Sequence, residues 1–384
     1  MGDNIIVTAI ILTAIVICVI LVAWYAHRTE FFKNKKEATV IDKTEIASIF
    51  RIELTPAIQY RQSLSIPIIV KEAFSTDVAV ATDYHAADLI LFESLNNIEL
   101  ILEKIVLPLS AKYVNAFVGV DAIASKKSLA TFLKGTRCAP RSWALSDVAD
   151  RARFVSDFSK DDIYILKTNV QEQKGLFITR GNSSAEILNA FDATNNFVIC
   201  QRLLQDPFTV ADRKINIRVY MLVTLRPGHD PVFYIYDDGF IYYAEKPWVA
   251  NSVDHKVNIT TGLMDDRTIY ENNPLTRKEF NEFIGPRRAH VLNQSIQGCI
   301  NTLKMKYSAY LKTANAHLAT GTTFYQVLGI DIAPNNRLET VIMEVNKGPS
   351  LNYKDARDRH VKLGFMTAVM RTLQHENDPG LTRV

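Results

Sequence analysis

The chain has 384 residues, 48% of them hydrophobic and 22% charged, and carries a formal net charge of +3. That composition is ordinary for a globular protein, the length suits two or three packed units, and the near-neutral balance argues against a nucleic-acid binder. Cys18, Cys138, Cys200 and Cys299 are far apart and form no C-x-x-C pair. They read as reduced packing residues rather than as a metal site or a disulfide framework.

The first element in the chain is an uncharged apolar run, Ile5 to Tyr25, long enough to cross a bilayer as a helix. A secretory signal peptide would start with basic residues and end in small ones. Here the start carries Asp3, and Trp24 and Tyr25 stand where small residues should be. Those two aromatics suit an interfacial belt. Arg28, Lys33, Lys35 and Lys36 follow the run and no Lys or Arg precedes it, so the positive-inside rule places the rest of the chain in the cytosol. The expectation is a single-pass anchor over 1–27 and a charged linker over 28–43. Gly2 is followed by Ile6 where myristoylation needs Ser or Thr, so that lipid signal is absent.

From Glu37 the pattern is mixed. Ile66–Val70 and Leu89–Leu91 read as short buried strands, and Asn97 to Leu109 has helical spacing. Ser125 caps a helix expected over Lys126–Leu133, and Arg137–Arg141, with Pro140, is a connector. Strands are expected at Ile163–Asn169, Phe197–Leu203 and Ile215–Leu225. Val232–Tyr236 and Phe240–Ala244 flank "DDG", a hairpin signal. Pro274 to Leu311 is mostly helical, starting at Thr276 and broken at Pro286. Phe324–Ala333 and Glu339–Asn346 are strands around "PNNR", a second hairpin, and a last helix covers His360 to His375. Strands joined as hairpins predict an α+β fold rather than a parallel doubly wound sheet. No G-x-G-x-x-G, P-loop, H-E-x-x-H or G-x-S-x-G occurs, which removes the commonest dehydrogenase, P-loop, zinc-protease and hydrolase readings.

The chemistry is concentrated in a few polar residues on apolar strands. In "VIMEVNKGPSL", Glu344 and Asn346 are two apart and so share a strand face. In "LGIDIAP", Asp331 comes roughly level with Glu344 if the two strands form a hairpin. Carboxylates that close repel unless a cation lies between them, and hard oxygen ligands suit Mg²⁺. Taken alone, the pair also reads as two carboxylates facing solvent on a one-sided sheet.

"YILKTN" sets Lys167 on an apolar strand, where a phosphate could partner it; a snorkelling surface Lys is the plainer alternative. "QEQKGLFI" reads as a short flap with Lys174 beside Gly175, or as a plain hairpin turn. "VICQRLL" offers strand backbone at Gln201–Leu203 that could pair with an adenine edge. "RKINIRVYMLV" places Lys214, Asn216 and Arg218 on one face, opposite Ile215, Ile217 and Val219. Two cations and an amide aligned this way suit phosphate or carboxylate recognition, or line an exposed strand face. Arg287, Arg288, Lys304, Lys306 and Lys312 could meet an acidic tail, although a solvated helix face is the simpler reading.

The order of these parts resembles a known family. "YILK", "QKG", "ICQRLL", "RKINIRVYMLVT", "YIYDDGFIYYAEKPW", "FYQVLGIDI" and "VIMEVNKGPSL" occur in the sequence typical of the tubulin–tyrosine ligase-like family, within the ATP-grasp superfamily. "FVGVDAIASKKSLATFL" and "APRSWAL" resemble that family's N-terminal half. The likeness runs from about Ile98 to Lys362.

The resemblance implies an ATP-grasp domain over 44–376, with N-terminal (44–110), central (111–200) and C-terminal (201–376) parts. It implies ATP and Mg²⁺, an amino-acid substrate, and a protein acceptor with an acidic tail, tubulin being one. An acceptor carboxylate would take the γ-phosphate, and an amine would then displace phosphate to leave an amide. By matched position, Asp331, Glu344 and Asn346 would hold the metal. Lys167 and Lys174 would grip phosphates, with Lys126 or Lys127 a further contact. Gln201, Arg202 and Leu203 would line the adenine. Lys214 and Asn216 would reach the nucleotide, and Lys214 and Arg218 would carry the transfer. Glutamate is the expected amino acid, with tyrosine or glycine the nearby alternatives.

Three positions depart from the family pattern: Asn216 replaces Asp, Tyr242 replaces Arg, and "NITT" (Asn258 to Thr261) replaces "HLTN". They leave the metal set intact and alter the surroundings of the amino acid or acceptor. A ligase fold that keeps ATP but tethers an acidic partner at a membrane, or an enzyme for a small-molecule acid, are the competing readings.

Overall fold

The computed structural model describes residues 111–384 except 170–174, 195, 261–263, 265–266, 319–320 and 376–377, together with Ile49–Leu54, Ile58–Tyr60, Leu89–Phe92 and residues 72–73 and 102. Phe50–Val384 form one compact unit. The apolar run Ile5–Tyr25, the linker over 28–43, the strand expected at Ile66–Val70 and Lys174 lie outside the described residues, as does all but Leu102 of the helix expected over Asn97–Leu109. No described helix is long and apolar enough to cross a membrane.

The described strands, in chain order, are β1 (Ile49–Leu54), β2 (Ile58–Tyr60), β3 (Leu89–Phe92), β4 (Tyr113–Val114), β5 (Ser142–Trp143), β6 (Tyr164–Thr168), β7 (Leu176–Thr179), β8 (Phe197–Arg202), β9 (Thr209–Val210), β10 (Arg213–Leu225), β11 (Val232–Tyr243), β12 (Thr323–Pro334), β13 (Thr340–Asn346) and β14 (Leu381–Arg383). They form two sheets. The larger runs β14-β11-β10-β12-β4-β3-β1-β2, with β13 also pairing β12 and β9 pairing β10; the smaller runs β5-β8-β6-β7. Nearly all described pairings are antiparallel, β3–β4 and β4–β12 being parallel. The α+β expectation holds.

The long strands β10 and β12 are buried on both faces. Ile217, Val219 and Met221 on one face of β10 and Tyr220 and Leu222 on the other are fully buried; Leu328 and Ile330 on one face of β12 and Tyr325 and Val327 on the other are buried too. Helix Pro286–Ala314 covers this sheet with Leu292, Ile296, Ile300, Leu303 and Tyr307, all buried. It begins as the sequence predicts. Thr276 caps the preceding helix Arg277–Ile284 through a reciprocal box with Glu279, Gly285 follows with φ 80°, and Pro286 takes the first turn of the next helix. The smaller sheet has its own core of Trp143, Phe154, Tyr164, Leu166, Phe191 and Cys200.

Four readings need correction. The "DDG" segment is no hairpin turn: β11 runs unbroken through it, and the chain reverses earlier, between Leu225 and Val232. Asp238 is buried and accepts from the Gly239 and Lys278 amides at 2.8 and 3.0 Å, so its side chain serves a register shift inside the ladder. Gly239 is needed there because a Cβ would stand 2.0 Å from the Arg218 carbonyl oxygen. The last helix starts at Ala356, four residues before the expected His360. Ser125 occupies the N-cap of helix Lys126–Phe132 but makes no side-chain capping bond. Finally, Cys138 and Cys299 are paired as a disulfide, with Cα atoms 5.1 Å apart. A sequence separation of 161 hides that neighbourhood until the fold is known. Cys200 is free and buried, as expected.

Candidate active site

The β12–β13 hairpin sets the carboxylates. Its register pairs Asp331 with Glu344 and Gly329 with Asn346, as the sequence reading requires. A bulge follows Asp331, where the ladder skips from Glu344 to Ile342. Asn346 Nδ2 lies 3.3 Å from Asp331 Oδ2, so the amide reaches that carboxylate diagonally across the strand pair.

Strand β10 supplies the cations. Its register with β12 places Arg218 opposite Asp331. The guanidinium grips that carboxylate in a fork, Nε–Oδ1 at 2.6 Å and Nη2–Oδ2 at 3.1 Å. Tyr242, from β11, lies under the guanidinium with 5.1 Å between Cζ and the ring centroid. Burial opposes the charge on Arg218, but Asp331 prevails and holds its pKa above the ordinary value. Burial likewise drives the Tyr242 phenol upward, so it stays protonated. Two residues back along the face, Asn216 has a buried side-chain oxygen with no partner among the described residues.

The smaller sheet closes the other wall. Lys167 is buried at 8% exposure and Lys214 at 3%, an unusual state for two ammonium groups. Burial pulls Lys167 down to about 8 while Glu344 draws it up, and burial plus the neighbouring Lys167 pull Lys214 to about 8. Lys126 reaches Glu344 at 3.5 Å from the start of its helix. Gln201 Nε2 donates to Ser142 Oγ at 2.9 Å, and its side-chain Oε1 is buried with no partner among the described residues.

These side chains line one cleft of about 370 Å³. Lys126, Lys167, Gln201, Arg202, Leu203, Lys214, Asn216, Arg218, Asp331, Glu344 and Asn346 all border it. Cations outnumber carboxylates on its walls, which suits a polyphosphate. Ile165, Leu176, Ile259 and Met343 form an apolar part of the lining that the sequence reading did not name. The signal for two of them was available: Ile165 and Leu176 alternate with, or face, Lys167 on the β6–β7 hairpin. Tyr242, Asn258 and Thr260 also border the cleft, so two of the three departures in the sequence (Asn216 and Tyr242) and part of the third stand on its wall.

One expectation fails locally. The backbone at Gln201–Leu203 is no free edge: β8 lies between β5 and β6, the Arg202 amide donates to Arg141 O at 2.8 Å, and the Leu203 amide donates to Ile163 O at 2.8 Å. An interior strand has its donors satisfied by neighbours, which an isolated strand pattern cannot reveal. The Arg202 side chain is paired with Asp162. Lys127 stands apart from the cleft, with Ser146 Oγ 3.4 Å away. On the long helix, Lys312 pairs with Asp230 at 2.8 Å, Lys304 donates to the Val384 carbonyl, and Arg288 lies over the Phe208 ring; none borders the cleft.

Gly175, just past the segment that holds Lys174, closes β6 onto β7. It has φ 72°, its carbonyl accepts from the Thr168 amide at 2.9 Å, and a Cβ would meet Thr168 Oγ1 at 2.1 Å.

Asp331, Glu344 and Asn346 offer hard oxygen donors on one hairpin, a donor set that fits Mg²⁺ better than a softer metal. Among the described residues no group of three or more His, Cys, Asp or Glu forms an alternative metal site.

The family model for the tubulin-tyrosine ligase family matches residues 115–379, well over half of the chain. Curated relatives include tubulin polyglutamylase TTLL6 of Homo sapiens, 26% identical over 294 residues that cover 69% of this chain and 32% of that protein. Tubulin polyglutamylase ttll6 of Danio rerio is also 26% identical, across 65% of this chain and 34% of that protein. Tubulin polyglutamylase TTLL13 of Mus musculus is 24% identical, across 67% and 34%. The chain thus spans about a third of the length of the curated relatives it matches.

Proposed function

This chain belongs to the tubulin-tyrosine ligase family, and from that premise we propose that it is an ATP- and Mg²⁺-dependent carboxylate–amine ligase with an ATP-grasp fold. Its proposed reaction joins glutamate to a side-chain carboxylate of a protein acceptor, with tubulin the first candidate. The observation that carries the reading is the convergence of Lys167, Lys214 and Arg218 on Asp331, Glu344 and Asn346 in one cleft.

The roles follow from position. An acceptor carboxylate oxygen attacks the γ-phosphorus, the bond from that phosphorus to the β–γ bridging oxygen breaks, and ADP leaves. The amine of the incoming amino acid then attacks the acyl carbon. The C–O bond to phosphate breaks, phosphate leaves, and the nitrogen loses a proton. Lys167 and Lys214 neutralise the phosphates; a phosphate beside them would restore the charge that burial disfavours. Arg218 holds Asp331 in place and faces the charge that develops in transfer. Asp331, Glu344 and Asn346 would hold Mg²⁺, which supplies charge neutralisation between phosphate oxygens. Leu203, Ile165, Leu176 and Ile259 form an apolar slot for the base. Lys174 is proposed to close on the phosphates from the segment before Gly175.

Tyr242 gives the second reading some weight. An aromatic wall beside Arg218 where the family carries a cation would weaken recognition of a free carboxylate, leaving an ATP-binding protein that tethers an acidic partner. In either case the apolar run Ile5–Tyr25 is proposed as a membrane anchor that keeps the catalytic part in the cytosol.

The test is incorporation. The full chain is incubated with Mg-ATP, tubulin and radiolabelled glutamate, glycine or tyrosine in turn, beside a Glu344→Gln control. Glutamate label entering protein, and absent in the control, supports the ligase. Mg-dependent ATP binding without incorporation of any of the three moves the weight to the tether.

A further inference from the structure

The connector between helix Lys126–Phe132 and β5 joins the two walls of the cleft. Cys138 O accepts from the Ile342 amide at 2.8 Å, on β13 and close in the chain to Glu344. Arg141 O accepts from the Arg202 amide at 2.8 Å, on β8 beside Gln201. Ser142 Oγ donates to Pro140 O at 2.7 Å and accepts from Gln201 Nε2 at 2.9 Å. The stretch Cys138–Ser142 thus ties the larger sheet to the smaller one. The Cys138–Cys299 bond pins the same stretch to helix Pro286–Ala314, which covers the larger sheet.

Both oxidation states fit this place. Cys138 Sγ has Thr302 Oγ1 at 3.7 Å, and that hydroxyl donates its own proton to Gly298 O at 2.9 Å, so it can accept from a thiol. Cys299 Sγ has Thr340 O at 3.2 Å. A reduced pair would therefore keep an acceptor for each S–H, and neither thiol would be a buried donor left over. Cys138 and Cys299 are only 1% and 2% exposed, but Gly135 and Arg137 are exposed, and Ala139, Pro140 and Gly298 are half-buried. Local opening of the connector, rather than of the core, uncovers the sulfurs. A Cβ at Gly298 would stand 3.4 Å from Arg137 Nη2, so the guanidinium next to Cys138 in the chain lies against the neighbour of Cys299. A cation there favours the thiolate, the form that enters exchange.

We propose that the Cys138–Cys299 pair is a reversible redox clamp on the cleft. Oxidised, it fixes the connector against both walls; reduced, it lets the smaller sheet move relative to the larger. The consequence for the nucleotide rests on the proposed function: a preformed cleft should hold Mg-ATP more tightly than a loose one. The oxidant is a small disulfide such as oxidised glutathione. One protein thiolate attacks a glutathione sulfur, and a glutathione thiolate leaves. The other protein thiolate attacks the protein sulfur of the mixed disulfide, and the second glutathione leaves. The two protein thiols lose two electrons and two protons, and the small disulfide becomes two thiols.

The test equilibrates the full chain in glutathione buffers of graded redox ratio, with its thiols counted by alkylation and mass spectrometry. Mg-ATP affinity is measured by calorimetry, and hydrogen exchange is followed in the segments that carry Ile342 and Arg202. The oxidised chain should bind Mg-ATP about fivefold or more tighter than the reduced chain. Saturating Mg-ATP should make the pair harder to reduce by the same factor, because coupling is reciprocal. Both segments should exchange faster after reduction and recover after reoxidation. C138S/C299S should match the reduced parent and ignore reductant. Should that variant fail to fold, reduction and reoxidation of the parent read the same two states. Equal Mg-ATP affinity in the two states overturns the clamp, as do segments that exchange alike in both. So does a pair that stays as thiols, or stays bonded, at every ratio. A response to reductant that persists in C138S/C299S also overturns it, by placing the effect elsewhere. Segments that respond while neither state binds Mg-ATP would sink the ligase reading and leave the clamp standing.

Discussion

Arg218 and Asp331 face each other across neighbouring strands and are joined by two hydrogen bonds, in a pair whose side chains are only 12% and 14% exposed. Neither residue is free to act alone. The fork fixes the carboxylate at the end of the hairpin that also carries Glu344 and Asn346, and the carboxylate fixes the guanidinium over Tyr242.

Removing one member of such a pair leaves a buried charge without its partner. Arg218→Ala should destabilise the protein by about 3–5 kcal/mol, and Asp331→Ala by a similar amount. The double variant should recover part of that loss, because it removes both charges. Arg218→Lys should also fail to restore the fork, since an ammonium makes no bidentate contact. Denaturant unfolding of the four variants measures the coupling; additive losses would show that the fork contributes nothing.

Glu344→Gln should reduce incorporation by about 100-fold or more, in line with the loss of one preorganised charge in a transfer site. The change is isosteric, and Glu344 is paired only with Lys126 among the described ion pairs. Its melting temperature should therefore move little. A variant that keeps full activity at saturating Mg²⁺ would remove Glu344 from the metal set.

On the proposed function, Lys167 and Lys214 should make nucleotide binding depend on pH. Both titrate near 8 in the folded chain, below the ordinary 10.5. Phosphates favour the protonated forms, so ATP affinity should be nearly flat below pH 7 and fall above pH 8. The fall should approach about tenfold per pH unit for each lysine. The sign for stability is the reverse. Between about pH 8 and 10.5 the unfolded chain holds protons that the folded chain has lost, so these two groups raise folded stability as pH climbs through that window. Calorimetry of ATP binding in two buffers of different ionisation enthalpy should show proton uptake near pH 8. No uptake would mean that the lysines do not meet the phosphates.

The disulfide gives a simple chemical count. Alkylation of the denatured chain should label two more cysteines after reduction than before, with Cys138 and Cys299 the additional pair by mass spectrometry. Labelling of both without reductant would show that they stand as thiols. Where the pair is oxidised, reduction should cost about 2–5 kcal/mol of stability.

Gly239→Ala probes the register shift in β11. A methyl group there would meet the Arg218 carbonyl oxygen at 2.0 Å, and the contact is backbone, which has little room to move. The variant should lose about 3 kcal/mol, at the upper end of overpacking costs. It should also weaken ATP binding, because the displaced strand segment carries Arg218.

The sequence by itself determined the strands that hold the site. Alternation placed Lys214, Asn216 and Arg218 on one face, because a strand has a period of two, and the polar turn marked the hairpin that brings Asp331 and Glu344 together; their exact pairing came from the five-residue loop Asn335–Glu339 and the bulge after Asp331. It also marked Thr276 and Pro286 as helix boundaries, since capping and a missing amide are local properties. Tertiary structure alone decided the rest. The fork between Arg218 and Asp331 depends on β10 lying beside β12, a pairing across 113 residues. The satisfied amides of Arg202 and Leu203 depend on β8 being an interior strand, and the Cys138–Cys299 pair on a helix crossing a distant connector. The "DDG" segment misled because a turn signal is local, whereas the neighbour that keeps β11 extended, Arg218 of β10, is remote in the chain. Periodicity reports which way a side chain faces; only the packed fold says what it faces.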